Sequence, residues 1–317
     1  MIDNSRVYSL GPKGQLVALD LGSGELIWSK HLVDDYNANA PFYGFSTVPL
    51  VEDGVLIVET GGDSTAISGF DKNTGELLWA TGSDTIQYQS PIVMVIDGQR
   101  QLLGVGNRRV YGLDLQTGDK LWNFAHGGEP QSRGGRSINP VIAGTNRVFL
   151  NNSRTAGLLF EVTKTDSGYS ASEVWTTAHI KQSYNTSILH DGFLYGYSNR
   201  FLSCVDVATG ELAWKSRPPG DGFAILVDGY LVILTKAGTL HIGEATPTAF
   251  SELTSVQLFD GLTWTPPSFA NGRIHARNSR DIVAVDFAPA GNLAQLEKPP
   301  LELLNESGKF AQFGVIC

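Results

Sequence analysis

Asp71-Lys72-Asn73-Thr74-Gly75-Glu76-Leu77-Leu78-Trp79 is the stretch that decides the fold. It reads as the end of one strand, a tight turn and the start of the next. The Asp71 carboxylate is placed to accept hydrogen bonds from turn amides. Gly75 supplies the left-handed backbone that closes the turn. Trp79 then packs between neighbouring units. The same nine-residue pattern returns from Asp20 to Trp28, from Asp114 to Trp122 and from Asp206 to Trp214. Four copies make a repeat architecture the first reading. A buried tryptophan of roughly 200 Å² contributes on the order of 5 kcal/mol gross, enough to act as a staple.

A second mark runs out of phase with the first. Apolar runs are broken by Asp53-Gly54, Asp97-Gly98, Asp191-Gly192, Asp228-Gly229 and Asn271-Gly272, with Gly144-Thr145-Asn146 in the corresponding place of a fourth unit. Asp-Gly and Asn-Gly between apolar runs are two-residue hairpin turns, because both positions need positive φ. Each unit therefore reads as four short antiparallel strands, and the spacing of about 40 residues is that of a propeller blade. The expected fold is an all-β β-propeller of four-stranded blades. Seven blades are visible, near 1–30, 46–80, 88–123, 137–176, 184–215, 222–258 and 264–297. The fourth carries an inserted polar segment from Thr163 to Ser172 and keeps only Trp175, the sixth keeps no tryptophan, and the seventh ends at Asp286-Phe287 without a Thr-Gly turn. In the first, Asp3-Asn4 falls where the hairpin turn belongs, so almost no first strand precedes it. The expectation is a ring truncated from eight blades, or one in which the tail at 298–317, with Phe310 to Ile316 as a strand, closes it.

Composition narrows the function classes. The 317 residues are 42% hydrophobic and 17% charged, with 36 glycines, which suits many tight turns. A net charge of −9 argues against a nucleic-acid partner, which needs a basic face. No apolar run is long enough for a membrane-spanning helix. Cys204, in an apolar run, reads as a small core residue, and Cys317 is the last residue, so no disulfide framework is available.

The four Asp-to-Trp motifs, together with Arg6-Val7-Tyr8-Ser9-Leu10-Gly11-Pro12-Lys13-Gly14 and Leu194-Tyr195-Gly196-Tyr197-Ser198, carry a resemblance. Over residues 1 to about 287 the chain resembles bacterial proteins with pyrroloquinoline-quinone-like propeller repeats. These are relatives of the quinoprotein alcohol dehydrogenases and of the propeller lipoprotein of the outer-membrane β-barrel assembly machinery. The resemblance implies an export signal, eight blades and a periplasmic or extracytoplasmic location. A working quinoprotein of this kind would carry a vicinal cysteine pair against the quinone and a calcium held by Glu and Asn. The sequence has no adjacent cysteines, so neither the quinone with calcium nor any other cofactor is expected.

No catalytic constellation emerges. The six histidines show no close ligand spacing, and there is no Gly-x-Ser-x-Gly elbow. The loop after Asp71 superficially resembles a calcium loop but lacks the distal bidentate Glu. No metal site is expected. The structural repeat is carried by Asp20, Trp28, Asp71, Trp79, Asp114, Trp122, Asp206 and Trp214. The loops before the first strands carry Tyr43, Ser46, Tyr88, Gln89, Asn139, Asn185, Asp221 and Trp264, which would ring an axial funnel. Arg133 and Arg136, near Arg108 and Arg109 in repeat phase, would add guanidinium groups for an anion. The funnel is the default site for a protein, small-molecule or glycan ligand. The leading expectation is a non-catalytic binding or assembly scaffold of the bacterial envelope. A degenerate quinoprotein-type oxidoreductase and a carbohydrate- or polymer-binding propeller are the alternatives.

Overall fold

The structure, a computed structural model, describes residues 1–126, 139–151, 156–181 and 183–287. The chain divides into two compact units, one of Met1–Pro218 with Pro247–Ala249, the other of Pro219–Thr246 with the described chain from Phe250.

The first unit holds five four-stranded sheets, each an antiparallel meander in chain order. Blade 1 comprises Ile2–Asp3, Arg6–Leu10, Gln15–Asp20 and Leu26–His31, and blade 2 comprises Leu50–Glu52, Val55–Glu59, Ile67–Asp71 and Leu77–Thr81. Blade 3 follows with Ile92–Ile96, Gln99–Val105, Arg109–Leu113 and Lys120–Ala125, and blade 4 with Val141–Ile142, Arg147–Leu150, Gly157–Thr165 and Gly168–Thr177. Blade 5 is Ile188–His190, Phe193–Ser198, Phe201–Asp206 and Leu212–Ser216. The second unit holds blade 6, with Gly222–Val227, Tyr230–Thr235, Thr239–Glu244 and Glu252–Gln257, and blade 7, with Ser268–Ala270, Arg273–Arg277 and Ile282–Asp286. A five-residue helix, Leu32–Tyr36, follows blade 1. The protein is an all-β propeller of seven blades.

The hairpin turns form as the sequence demands. Asp53, Asp97, Asp191, Asp228 and Asn271 have φ between 46° and 52°, and the glycine after each is also positive. Blade 1 corrects the expectation there. Its turn falls on Asn4-Ser5, with Asn4 at φ 52°, and Ile2–Asp3 provides a two-residue first strand. Blade 7 differs from the expected four strands, having three among the described residues. The Phe310–Ile316 tail lies outside the described residues.

Within each repeat the Asp carboxylate does what its position requires. Asp71 Oδ1 accepts from the amides of Asn73 and Thr74 at 2.7 and 2.8 Å, and Asp20, Asp114 and Asp206 repeat the pattern. The docking tryptophan shows a finer rule. Trp28, Trp79, Trp122, Trp175 and Trp214 stand opposite Ala18, Gly69, Gly112, Leu159 and Cys204, and a register shift follows each pair. The shift is a β-bulge that turns the ring over the third strand. In three of the five blades the ring's far face meets the turn glycine of the next blade. A Cβ on Gly75, Gly118 or Gly210 would fall 2.7, 2.4 or 2.8 Å from the ring of Trp28, Trp79 or Trp175. Trp28 Nε1 and Trp175 Nε1 also donate to the carbonyls of Lys72 and Val207, each at 3.1 Å.

Blade 4 is the exception the sequence marked. The polar segment from Thr163 to Ser172 is not a loop insertion but a continuation of the third and fourth strands, paired as far as Thr165 and Gly168. With no Thr-Gly turn facing it, Trp122 packs on Phe160 with centroids 6.0 Å apart, and its Nε1 donates to Gln101 Oε1 at 2.7 Å within its own blade.

Candidate interaction surface

The loops that lead into the first strands of blades 2 to 5 meet at one end of the first unit. Three hydrogen bonds lace them in order. Val48 N donates to Ser90 Oγ (2.9 Å), Ser90 N to Asn139 Oδ1 (3.1 Å), and Asn139 Nδ2 to Thr186 Oγ1 (2.7 Å). Each bond joins one blade's loop to the next, so the loops form a single platform. Below it, Gln89 Nε2 donates to Val105 O at 2.5 Å, and Glu59 Oε1 accepts from Val105 N at 2.7 Å. Asn151 Nδ2 reaches Asn185 O at 3.3 Å.

Four aromatic rings stand on this platform. Phe42 and Tyr43 meet edge to face with centroids 4.9 Å apart, and Tyr43 and Tyr88 lie 6.2 Å apart. Tyr43 N donates to the Tyr88 hydroxyl at 2.9 Å. Partial burial raises the Tyr88 phenol, the hydrogen bond from the Tyr43 amide pulls the other way, and the nearby Tyr184 and Tyr43 rings raise it further. The Tyr184 phenol is raised for the same reasons, burial first and then Tyr43. The Tyr88 and Tyr184 phenols are neutral hydroxyls at physiological pH. Phe42 and Tyr43 are 67% and 65% exposed, and Tyr184 is 40% exposed. Such rigid, amphipathic rings are the composition of protein-recognition surfaces.

The structure thus brings Tyr43, Tyr88 and Asn139 together and reassigns others. Gln89 is fully buried, and it ties its loop to the second strand of blade 3 rather than facing a ligand. Asn185 is buried as well, with its carbonyl holding Asn151. Trp264 belongs to the second unit, where it is 49% exposed. There Lys236 Nζ sits 4.1 Å from its ring centroid and pairs with Asp221 at 2.6 Å. Arg133 and Arg136 lie outside the described residues. Phe42, Ser90, Tyr184 and Thr186 are additions. Phe42 and Tyr184 were legible as the aromatic neighbours of Tyr43 and Asn185. Among the described residues no three His, Cys, Asp or Glu side chains converge as metal ligands. None of the helices there is long and apolar enough to cross a membrane.

Residues 1–216, the stretch containing blades 1 to 5 and this platform, match the family described as outer membrane protein assembly factor BamB. The chain belongs to that family. The BamB of Escherichia coli strain K12 is 27% identical over 211 residues, covering 62% of this chain and 49% of that protein. The match therefore spans about half the length of that relative. The crystal structure of BamB from Moraxella catarrhalis aligns with a TM-score of 0.68 at 17% identity, over 88% of this chain and 81% of that one. The quinohemoprotein alcohol dehydrogenase of Comamonas testosteroni aligns with a TM-score of 0.61 at 12% identity, over 89% of this chain and 62% of that one. At these identities the two structures share the propeller fold.

Proposed function

We propose that the chain is a non-catalytic docking scaffold of the bacterial envelope that binds a protein partner in outer-membrane protein assembly. The aromatic platform of blades 2 to 5 is its contact surface. The single observation that carries this reading is the set of exposed aromatic rings Phe42, Tyr43 and Tyr184 on loops already fixed by hydrogen bonds. Preorganised loops lose little entropy when a partner binds, so the rings act as anchors. Membership of the BamB family supports a protein as ligand and an extracytoplasmic location.

The test is a titration of the purified chain against the solubilised outer-membrane assembly complex of the same bacterium. The triple variant Phe42→Ala/Tyr43→Ala/Tyr184→Ala should bind at least about tenfold more weakly with an unchanged melting profile, since anchor residues cost 2 kcal/mol or more each. Equal binding by parent and variant would remove the platform from the account. The likeness to quinohemoprotein dehydrogenases defines a second measurement, a dye-linked alcohol assay with added quinone and calcium. Turnover above background would overturn the non-catalytic assignment.

A further inference from the structure

Blade 5 separates its charges end to end. Between residues 178 and 218 the carboxylates are Asp191, Asp206 and Glu211, and the lysines and arginines are Lys181, Arg200, Lys215 and Arg217. Antiparallel pairing decides where each falls. Asp191 lies in the turn from first to second strand, and Asp206 and Glu211 flank the turn from third to fourth, all at the end away from the loop platform. The four cations stand at the platform end. Arg200 is in the turn that joins Ser198 to Phe201, and Lys181 N donates to Tyr197 O at 3.0 Å. Lys215 and Arg217 flank Ser216, which pairs with Leu202. The four therefore cross the ends of three adjacent strands, a width of about 10 Å at the spacing of a β-sheet. Arg200, Lys215 and Arg217 are exposed, and Lys181 is half-buried. Two contacts shape this rim. Lys215 Nζ sits 4.4 Å from the Phe201 ring centroid, and Ser216 Oγ donates to Pro218 O at 2.7 Å across Arg217. Among the described residues none of the four cations pairs with a carboxylate. Asp221, the next carboxylate along the chain, is held by Lys236 at 2.6 Å.

We propose that this rim docks an acidic segment of a partner protein, laid across the end of blade 5 beside the aromatic platform. The proposal names the chemistry of the partner in the docking reading and rests on that reading. Two observations select the occupant. First, the four cations lie within about one Debye length of one another at 0.1 M salt, so they repel and an anion relieves them. In a chain of net charge −9 this is a local reversal of sign. Second, the reversal is confined to one blade. At the same end of the unit Asp34 and Asp35 follow blade 1, and Asp63 lies in the turn between the second and third strands of blade 2. A flat anionic membrane pressed on that end would meet these carboxylates as well, whereas a narrow acidic segment meets blade 5 alone. The rim also continues the platform, since Tyr184 and Thr186 lie on the same loop as Lys181 and Thr186 Oγ1 closes the lacing from Asn139. A partner anchored on the rings can therefore extend its acidic segment over Arg200 and Arg217. Exposed pairs of this kind speed association and fix orientation more than they add to the hold.

The probe is a dye-tagged octaglutamate peptide, titrated into the whole chain by fluorescence anisotropy. Saturable binding at about 20 mM salt is expected, displaced by untagged octaglutamate and lost at about 0.5 M salt. Arg200→Gln/Arg217→Gln should weaken it about tenfold. Lys120→Gln, which removes a cation at the far end of blade 3, should leave it unchanged, and circular dichroism melts confirm that each variant is folded. Against the solubilised outer-membrane assembly complex, the double variant should associate about threefold more slowly with its dissociation rate unchanged. The aromatic variant Phe42→Ala/Tyr43→Ala/Tyr184→Ala should instead dissociate faster. Absence of saturable octaglutamate binding overturns the proposal. So do equal affinities for parent and double variant, or an unchanged association rate with the complex. Phosphatidylglycerol vesicles that bind the parent but not the double variant, and that octaglutamate does not displace, overturn it too, because the rim would then be a lipid contact. The docking reading fails separately, if the aromatic variant binds the complex as the parent does while the rim variant still loses octaglutamate.

Discussion

Gly118→Ala isolates the docking contact that joins one blade to the next. Gly118 has φ 69°, and a Cβ there would lie 2.4 Å from both Cδ2 and Cε3 of Trp79. Two costs result. The left-handed backbone costs an alanine about 1–2 kcal/mol. Overlap with the indole adds about 1–3 kcal/mol, as other overpacked sites show. The ring has nowhere to withdraw, because its other face lies against Gly69, whose own Cβ position is 2.3 Å from Trp79 Cε2. Gly24 is the control. It holds the same place in the blade 1 repeat with φ 74°, and nothing lies within 4 Å of its Cβ position. Gly24→Ala should therefore show the backbone cost alone, and Gly118→Ala should exceed it by about 1–3 kcal/mol. For a chain of this size the excess is on the order of 2–6 °C in Tm. Calorimetry and urea midpoints on the two variants measure it directly. In a Trp79→Ala background the excess should vanish, since the double-mutant cycle removes the clashing partner. Equal losses for Gly24→Ala and Gly118→Ala, or an excess that survives Trp79→Ala, would refute the docking argument.

Three further outcomes are expected. Burial pushes the Glu59 carboxyl up to about 8, with the Val105 amide pulling the other way. Folding then takes up a proton, so the Glu59 contribution is complete below about pH 4.5 and is lost as pH rises towards about 8. Glu59→Gln keeps an acceptor for Val105 and should flatten the urea-midpoint profile between about pH 5 and 8, a result that an unchanged slope would contradict. Gln101→Ala leaves the buried Trp122 Nε1–H without its partner and should cost about 2–4 kcal/mol in urea unfolding, whereas a loss below about 0.5 kcal/mol would show that the bond carries nothing. Asn139→Ala cuts two of the three bonds lacing the loops, and amide exchange at Val48, Ser90 and Thr186 should accelerate while the strands of blades 2 and 3 keep their protection.

Much of the fold was legible because its determinants are local. Asp-Gly and Asn-Gly encode the hairpin turns by backbone conformation alone, and the Asp-to-Gly turns carry their own acceptors. The bulge beneath each docking tryptophan was less visible, though it left a trace. The residue two before the repeat Asp is Ala18, Gly69, Gly112 or Cys204, each small enough to sit under an indole. The extended hairpin of blade 4 read as a polar insertion because Thr163 to Ser172 alternates without a buried face beyond Val162. The site was legible in part. Position in the repeat placed Tyr43, Tyr88 and Asn139 on the right loops. It could not say which side chains point outward, since Gln89 is drawn inside by the backbone carbonyl of Val105, and Asn185 is buried where its own carbonyl accepts from the Asn151 side chain. That choice depends on tertiary partners far along the chain.

In the proposed function, the loop platform of blades 2 to 5 is the face on which a partner protein lands. Hydrogen exchange of the whole chain, free and bound to the solubilised outer-membrane assembly complex, tests it most directly. New protection is expected over residues 39–48, 85–90 and 183–187, with the fourth strands Leu26–His31 and Leu77–Thr81 unchanged. Protection confined to those fourth strands, with the three loops exchanging as in the free protein, would contradict it.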